Sequence, residues 1–181
     1  MKSVLISIKP KWCELIANGK KTIEVRKTRP KCDTPFKCYI YCTKDKDISF
    51  WTGKRYAYAD DRSHNLFDVC GNGKVIGEFI CNKIDRLAVC GYDNRNTELR
   101  RIDNNLTAYD LDYGYLNKCQ LSPDNLKKYS NGSGLYGWHI SDLVIYDKPK
   151  SIKGFYHYGA VRGAKVTRPP QSWCYAEELK E

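Results

Sequence analysis

The segment from Gly19 to Lys27, GKKTIEVRK, places one carboxylate among four basic side chains. Its branched apolar residues, Ile23 and Val25, alternate with polar residues, which is the pattern of a β-strand with one buried face. The polar residues share the opposite face, and they are Thr22, Glu24 and Arg26. The segment therefore predicts a strand with a buried side and a side that can do chemistry.

This chemistry suits an anionic ligand. Glu24 can accept a hydrogen bond from a base amino group or hold Arg26 in place, while Lys21 and Arg26 can donate to a phosphate or to a developing oxyanion. A metal-free nuclease could use Lys21 and Glu24 together with a tyrosine or histidine. The structural alternative is an ion pair on a wet surface, which contributes roughly 0–1 kcal/mol to stability.

The charge of the chain is concentrated near its start. The formal net charge is +10, and residues 1–31 hold nine Lys and Arg against two Glu, a local net charge of +7. The chain also has 14 Tyr, 5 Phe and 4 Trp. A basic, aromatic-rich protein favours a polyanion whose bases stack on exposed rings. The alternative is a solubilising basic surface over buried aromatics.

The length of 181 residues predicts a single domain. No apolar run approaches the roughly 20 residues that span a bilayer, and a charged residue and Pro10 come too early for a secretory signal. We therefore expect a cytoplasmic, monomeric protein with no membrane partner.

The cysteines predict neither disulfides nor a metal site. There are nine of them, an odd number scattered along the chain, which favours reduced thiols. The closest group, Cys32, Cys38 and Cys42, contains no CxxC pair, and His64 lies too far along the chain for a zinc-finger spacing. No metal and no cofactor are predicted.

The elements that must position the segment can also be predicted. A strand over Val4–Ile8 precedes a helix that begins at Pro10, because proline is tolerated in the first helical turn. Trp12, Leu15 and Ile16 form the apolar stripe of this helix. Asn18-Gly19 supplies the left-handed residue expected at its C-terminus.

The remainder of the chain predicts more strands and one further helix. The predicted strands are Cys38–Thr43, Lys74–Ile84 and Gly137–Tyr146, the last ended by Lys148-Pro149. Residues 44–72 are predicted to form a long loop. Residues 91–133 are predicted to form an insert with a helix that follows Ser122-Pro123. The class is α+β, mainly β: a small barrel of five or six mostly antiparallel strands with a short N-terminal helix and a partly helical insert.

This order of motifs resembles the ASCH domain of the PUA-like superfamily. The signature G-x-K-x-x-E-x-R is matched at Gly19, Lys21, Glu24 and Arg26. A Val75-Ile76-Gly77 strand and a late Gly137-Trp138 strand follow it. The C-terminal segment RPPQSWCYAEEL is similar to ASCH proteins of prophages and mobile elements. The resemblance implies a PUA-like pseudo β-barrel, with the signature lining a cleft between the barrel and the first helix.

The resemblance also implies a choice of functions. ASCH and related domains are expected to bind RNA or modified nucleotides, some members hydrolyse the acetyl group of N4-acetylcytidine, and others cleave RNA. The amidohydrolase members use the signature lysine, a threonine three residues later and a later glutamate. Lys21 matches the lysine, but position 24 is Glu rather than Thr, with Thr22 as the nearest substitute. The later glutamate has no alignable counterpart in residues 91–133.

Residues from several segments are candidate contacts for a nucleotide or nucleic acid. Trp138 and Trp173 could stack a base or lie in the core. His139 could act as an acid or base, or could make a structural hydrogen bond. Gln171 and Ser172 could contact a base edge. The complete predicted set is Lys9, Lys20, Lys21, Thr22, Glu24, Arg26, Trp138, His139, Arg168, Gln171, Ser172 and Trp173.

Three functions follow from these observations. The first is binding of RNA or a nucleotide, modified or not, through a cationic cleft. The second is a metal-independent ribonuclease or a nucleobase amidohydrolase of the N4-acetylcytidine type, with Lys21 and Glu24 as catalytic residues. The third is a phage accessory protein that binds an acidic host protein.

Overall fold

The computed structural model describes residues 2–52, 69–90, 98–103, 106–160 and 163–179. These residues form mainly β structure with three α-helices. The strands are β1 Lys2–Ile8, β2 Ile23–Arg26, β3 Phe36–Cys42, β4 Trp51–Thr52, β5 Val69–Cys70, β6 Val75–Cys81, β7 Ile84–Cys90, β8 Glu98–Ile102, β9 Ala108–Asp110, β10 Leu135–His139, β11 Ser141–Lys150 and β12 Trp173–Glu177. The helices are α1 Pro10–Ala17, α2 Tyr113–Cys119 and α3 Pro123–Ser130, with a 3-10 turn at Ile152–Gly154.

The strands form two five-stranded sheets and one two-stranded ribbon. The first sheet has the order β11-β6-β3-β1-β12, the second has the order β2-β10-β7-β8-β9, and β4 pairs with β5. Antiparallel pairs prevail, but β1 and β3 run parallel, with Val4 opposite Cys38. The predicted class, mainly β with an early helix and a partly helical insert, is confirmed.

The chain divides into two compact units. Unit 1 comprises Met1–Ala17, Lys37–Phe79 and Leu143–Glu181, and unit 2 comprises Asn18–Phe36 and Ile80–Asp142. Each unit has its own apolar core. The core of unit 1 includes Leu5, Tyr39, Val75, Phe155 and Val166. The core of unit 2 includes Ile23, Val25, Leu87, Leu126 and Leu135. The single domain expected from chain length stays a prediction.

The first helix follows the sequence signals closely. It begins at Pro10, and it buries Cys13 and Ile16. Gly19 has a φ of +74°, a left-handed conformation that glycine adopts without the steric cost of a Cβ atom. β2 begins four residues later and has the predicted burial of Ile23 and Val25.

Two strands predicted as continuous are each interrupted. The segment Lys74–Ile84 breaks at Asn82 and Lys83, so that β6 and β7 are separate strands. The segment Gly137–Tyr146 breaks at Ile140. The predicted stop at Pro149 is also wrong, because Pro149 lies inside β11, an edge strand. An edge strand tolerates proline, since its outward N–H groups have no ladder partner.

The insert contributes more β structure than its sequence suggests. β8 and β9 extend the second sheet, although residues 91–133 show little strand pattern. The predicted α3 is confirmed: the Ser122 side chain accepts a hydrogen bond from the Asn125 N–H, and Asn131 is left-handed at the other end. The sequence signals do not predict α2 or β12. In the predicted loop over residues 44–72, β4 and β5 are formed, and residues 53–68 lie outside the described part.

Candidate nucleotide-binding site

The side chains of Lys21, Glu24 and Arg26 meet at the edge of the second sheet. β2 is an edge strand that pairs with β10, and this pairing places Glu24 opposite Trp138 and Arg26 opposite Tyr136. Only 3% of Lys21 and 6% of Glu24 is exposed. The cluster is therefore buried, unlike the wet surface ion pair considered as the structural alternative.

Glu24 lies between the two cations. Its Oε2 atom is 3.4 Å from Lys21 Nζ, and its Oε1 atom is 3.0 Å from Arg26 Nε. Lys21 Nζ also donates a 2.6 Å hydrogen bond to the carbonyl of Cys119, at the end of α2. Removing one partner of such a buried pair leaves an uncompensated charge, which is strongly destabilising. The triad therefore ties β2 to α2.

Tyr129 stands beside this cluster and has no signal in the sequence. It lies on α3 with 39% of its surface exposed, and Lys27 Nζ is 5.3 Å from its ring centroid. Burial raises the pKa of Tyr129, and Arg26 and Glu24 are near enough to act on that pKa as well. The insert thus brings a partly exposed aromatic ring to the signature, which the spacing along the chain does not indicate.

A basic pocket follows the signature strand. It has a volume of about 530 Å³, and its charged lining consists of Arg29, Lys31, Asp33 and Lys83. Three of these four groups are cations, so the pocket favours an anion. Arg29, Lys31 and Asp33 come from the loop after β2, and Lys83 comes from the break between β6 and β7. We call this site the basic pocket.

Asp85 and His139 form a second polar centre in unit 2. His139 Nε2 is 2.6 Å from Asp85 Oδ2, and Lys83 Nζ is 3.0 Å from Asp85 Oδ1. Burial by itself would raise the pKa of Asp85, but the hydrogen bonds and positive charges of His139 and Lys83 outweigh it and lower the pKa to about 2. Asp85 is therefore an ionised, 5% exposed carboxylate that orients the imidazole.

Buried polar groups lie between the two centres. Burial raises the pKa of the Cys119 thiol to about 12, and Lys21, Glu24 and Asp85 are all close enough to modify it. Burial also raises the pKa of Tyr115, with further effects from Cys119 and Asp85. The signature and the Asp85–His139 pair therefore act on a common set of buried groups, although 54 residues separate Asp85 from His139 along the chain.

A close approach to Gly137 makes this arrangement possible. A Cβ atom built on Gly137 would lie 2.1 Å from Tyr115 Oη and 3.1 Å from Ile23 Cγ2. Any larger residue would displace the buried tyrosine. The glycine of the late Gly137-Trp138 strand thus makes room for the Tyr115 hydroxyl.

The comparisons with known proteins agree with the resemblance seen in the sequence. Residues 6–82 match the family model of the ASCH domain. No curated protein matches this chain.

Three solved structures share the fold. The crystal structure of ASCH from Zymomonas mobilis has a TM-score of 0.54 and 18% identity, with 96% of this chain and 86% of that chain covered. A mutant of that protein with phenylalanine in place of one tyrosine has a TM-score of 0.54 and 18% identity, with 97% and 90% covered. A mutant with alanine in place of one serine has a TM-score of 0.53 and 18% identity, with 96% and 87% covered. The likeness extends the ASCH fold to nearly the whole chain.

The predicted contact residues are divided between the units. Unit 2 holds Lys20, Lys21, Thr22, Glu24, Arg26, Trp138 and His139, and unit 1 holds Lys9, Arg168, Gln171, Ser172 and Trp173. Lys9, Lys20, Arg168 and Gln171 are exposed. Thr22, His139, Ser172 and Trp173 are partly buried.

The two tryptophans differ in their surroundings. Trp138 has no exposed surface and makes an edge contact with Phe36 at 6.0 Å between ring centroids, so it is placed in the core rather than presented to a base. Trp173 keeps part of its surface and makes an edge contact with Tyr175 at 5.4 Å. The core alternative is the one observed for Trp138.

Two further findings concern membranes and metals. No helix in the described ranges is long and apolar enough to cross a membrane. Across the same ranges, no three His, Cys, Asp or Glu side chains are arranged to hold a metal ion.

Proposed function

We propose that this ASCH protein binds RNA or a nucleotide, modified or not, through the basic pocket beside the signature. ASCH domains are broadly implicated in RNA binding. The observation that carries the proposal is the pocket of about 530 Å³ with Arg29, Lys31 and Lys83 in its lining, directly after the signature strand. Its size suits a small ligand or one unit of a polymer, and its charge suits phosphate.

The signature has a supporting role in this proposal. Lys21 and Glu24 are buried and bonded to each other, so they hold β2 and its following loop in place. Arg26 and Lys27 lead from this cluster toward the surface near Tyr129. The Tyr129 ring gives an unpaired base a surface on which to stack, and such stacking contributes about 1–3 kcal/mol per base.

The proposal is tested by fluorescence anisotropy with labelled single-stranded RNA. We expect the R29Q/K31Q variant to bind at least tenfold more weakly than the wild type. K118Q/K128Q is the charge-matched control, since both lysines are exposed in unit 2 outside the pocket. Y129L should also weaken binding, whereas Y113L, at the 86% exposed tyrosine of α2, should not. Equal losses in R29Q/K31Q and the control would overturn the proposal.

The setting of this function follows from the sequence. We infer a cytoplasmic monomer of the prophage or mobile-element type, because the C-terminal segment RPPQSWCYAEEL is similar to such ASCH proteins. Sedimentation of the purified protein at several concentrations tests the monomer. A concentration-dependent dimer would contradict it.

Hydrolysis of RNA or of a nucleobase amide is a second candidate, favoured by the Asp85–His139 pair. Asp85 binds one ring nitrogen of His139, which fixes the ring and leaves the other nitrogen for proton transfer. Lys83 lies beside the pair and supplies positive charge for a developing oxyanion. In this candidate His139 is the acid or base, and Lys21 and Glu24 remain predicted catalytic residues.

Incubation with labelled RNA and with N4-acetylcytidine tests this candidate. Turnover by the wild type that falls at least a hundredfold in H139Q, with unchanged RNA affinity, would support it. A K21R variant, which keeps the buried charge, reports separately on Lys21. Wild-type turnover in H139Q would remove His139 from the reaction, and absence of any turnover would leave binding as the function.

A further inference from the structure

A second pocket in unit 2 lies beside the Asp85–His139 pair. Its volume is about 260 Å³, and its polar lining consists of Lys83, Asp85, Arg101, Asp103 and Tyr109. It shares Lys83 with the basic pocket. Pockets for drug-sized ligands begin at roughly 300 Å³, so this volume suits a fragment no larger than one nucleotide unit. We call it the arginine pocket.

Both carboxylates of the arginine pocket already have partners. Asp85 accepts from His139 at 2.6 Å and from Lys83 at 3.0 Å. Asp103 accepts a 2.8 Å hydrogen bond from the Thr107 N–H and a 3.1 Å hydrogen bond from Tyr109 Oη. Asp85 is therefore paired with basic groups, whereas Asp103 accepts from two neutral donors and keeps its negative charge.

Arg101 is different. Its neighbour Arg100 pairs with Glu98 and Asp110, whereas no carboxylate pairs with Arg101 within the described part of the chain. Its guanidinium carbon lies 5.5 Å from the Tyr109 ring centroid and 5.9 Å from that of Tyr115. Contact with two rings limits the orientations of a half-buried guanidinium. The group is thus held in place while its N–H donors suit an anion.

The Tyr115 hydroxyl lies behind the pocket. Tyr115 is 7% exposed, and its hydroxyl is close enough to Asp85 to hydrogen-bond to that carboxylate, which is in the pocket lining. Tyr115 therefore helps to hold Asp85 in place.

We propose that the arginine pocket binds the phosphate of a nucleotide, with Arg101 and Lys83 as its cationic partners and Tyr109 as the ring on which the base stacks. Tyr109 is 43% exposed, so part of its ring is open to a base. The phosphate belongs either to a free mononucleotide or to the RNA backbone. This inference rests on the proposed function only if the phosphate belongs to the RNA backbone, because a free nucleotide could bind here without RNA.

The test is a titration of the full chain with three probes: inorganic phosphate, adenosine 5′-monophosphate and single-stranded RNA. Calorimetry follows the first two probes, and anisotropy follows the RNA. The variants are R101Q, R101K, Y109L and R86Q. Arg86 is the matched control, since it is an exposed arginine of the adjacent strand β7 outside the pocket lining. A urea unfolding curve of each variant confirms that it is folded.

We expect R101Q to weaken the binding of adenosine 5′-monophosphate at least tenfold and R86Q to weaken this binding less than twofold. R101K should fall between them, because lysine keeps the charge but loses the planar fork. Y109L should lower the affinity for the nucleotide more than it lowers the affinity for inorganic phosphate. If the RNA affinity also depends on Arg101, the RNA backbone is the source of the phosphate. If only the mononucleotide affinity depends on Arg101, the free nucleotide is the ligand.

Equal affinity of R101Q, R86Q and the wild type for all three probes would overturn this inference. The result is separable from the proposed function. Suppose that RNA binding is lost in R29Q/K31Q but kept in R101Q, and that mononucleotide binding does not depend on Arg101. This result would support the proposed role of the basic pocket and contradict that of the arginine pocket. If the protein binds the mononucleotide in an Arg101-dependent way but does not bind RNA, the role of the arginine pocket is supported and the proposed RNA function is contradicted.

Discussion

At the scale of single residues, Lys20 and Lys21 show how position changes the role of one side-chain type. Lys20 is exposed, whereas Lys21 is 3% exposed and bonded to Glu24 and to the Cys119 carbonyl. The two residues are adjacent in sequence and identical in charge. Neither composition, net charge nor strand alternation separates them, whereas the contact of Lys21 with the end of α2 does.

This contrast predicts different costs for the same substitution. We expect K21M to lower the free energy of unfolding by about 3 kcal/mol, because it leaves the buried Glu24 with one cation fewer and the Cys119 carbonyl without a donor. K20M should change it by less than about 0.5 kcal/mol. Urea unfolding of both variants measures the difference. Similar values for the two would show that Lys21 is not part of a buried network.

Asp85 predicts a dependence of stability on pH. Its pKa in the folded state is about 2, below the ordinary value of 3.8, so its stabilising effect is present above pH 4 and is lost as the pH falls through about 2. A shift of this size corresponds to about 2 kcal/mol. We expect D85N to be less stable than the wild type at pH 7 and the gap to narrow at pH 3. A gap that is constant with pH would argue against an ionised Asp85.

At the scale of elements, the contact of Tyr115 on α2 with strand β10 depends on Gly137. Tyr115 from α2 places its hydroxyl where a Cβ atom of residue 137 would be. The second sheet and the helix of the insert can therefore approach closely only at a glycine.

A double-mutant cycle tests this close approach. We expect G137A to destabilise by about 1–3 kcal/mol, since the added methyl meets the Tyr115 hydroxyl. Y115F alone should destabilise by about 1–2 kcal/mol, because it removes a buried hydroxyl that can hydrogen-bond to the Asp85 carboxylate. In the double variant Y115F should recover part of the loss, with the remainder due to Ile23. Additive effects, measured by urea unfolding, would contradict the contact.

Local signals predicted the elements that depend on local chemistry. The ends of α1 are marked by Pro10 and Gly19, and those of α3 by Ser122 and Asn131. These signals are local, because the backbone groups at a helix end are accommodated within a few residues. The break at Asn82 and Lys83 has no such signal, since β-branched residues continue on both sides. Its position is set by the sheets that β6 and β7 join.

The candidate site likewise has a part that local sequence could predict and a part that it could not. The meeting of Lys21, Glu24 and Arg26 could be predicted, because they are within six residues and β2 is short. The Asp85–His139 pair and the position of Tyr129 could not, since they depend on strand order and on the packing of the insert. A single sequence carries no information on which distant strands become neighbours.

At the scale of the whole molecule, the charge asymmetry of the chain has a structural counterpart. The N-terminal excess of +7 over residues 1–31 includes Arg29 and Lys31, which line the basic pocket. The five predicted contact residues of unit 1, including Arg168 and Trp173, lie outside unit 2 and its pockets. We therefore expect nucleic-acid affinity mainly in unit 2.

If the basic pocket contacts RNA phosphates, as we propose, the salt dependence of RNA affinity must report those contacts. Each phosphate contact on a single strand contributes about 0.7 to the slope of log K against log salt concentration. With two contacts removed, we expect R29Q/K31Q to reduce the magnitude of the wild-type slope by about 1.4, while K118Q/K128Q leaves it unchanged. A slope that is the same in all three proteins would contradict the claim.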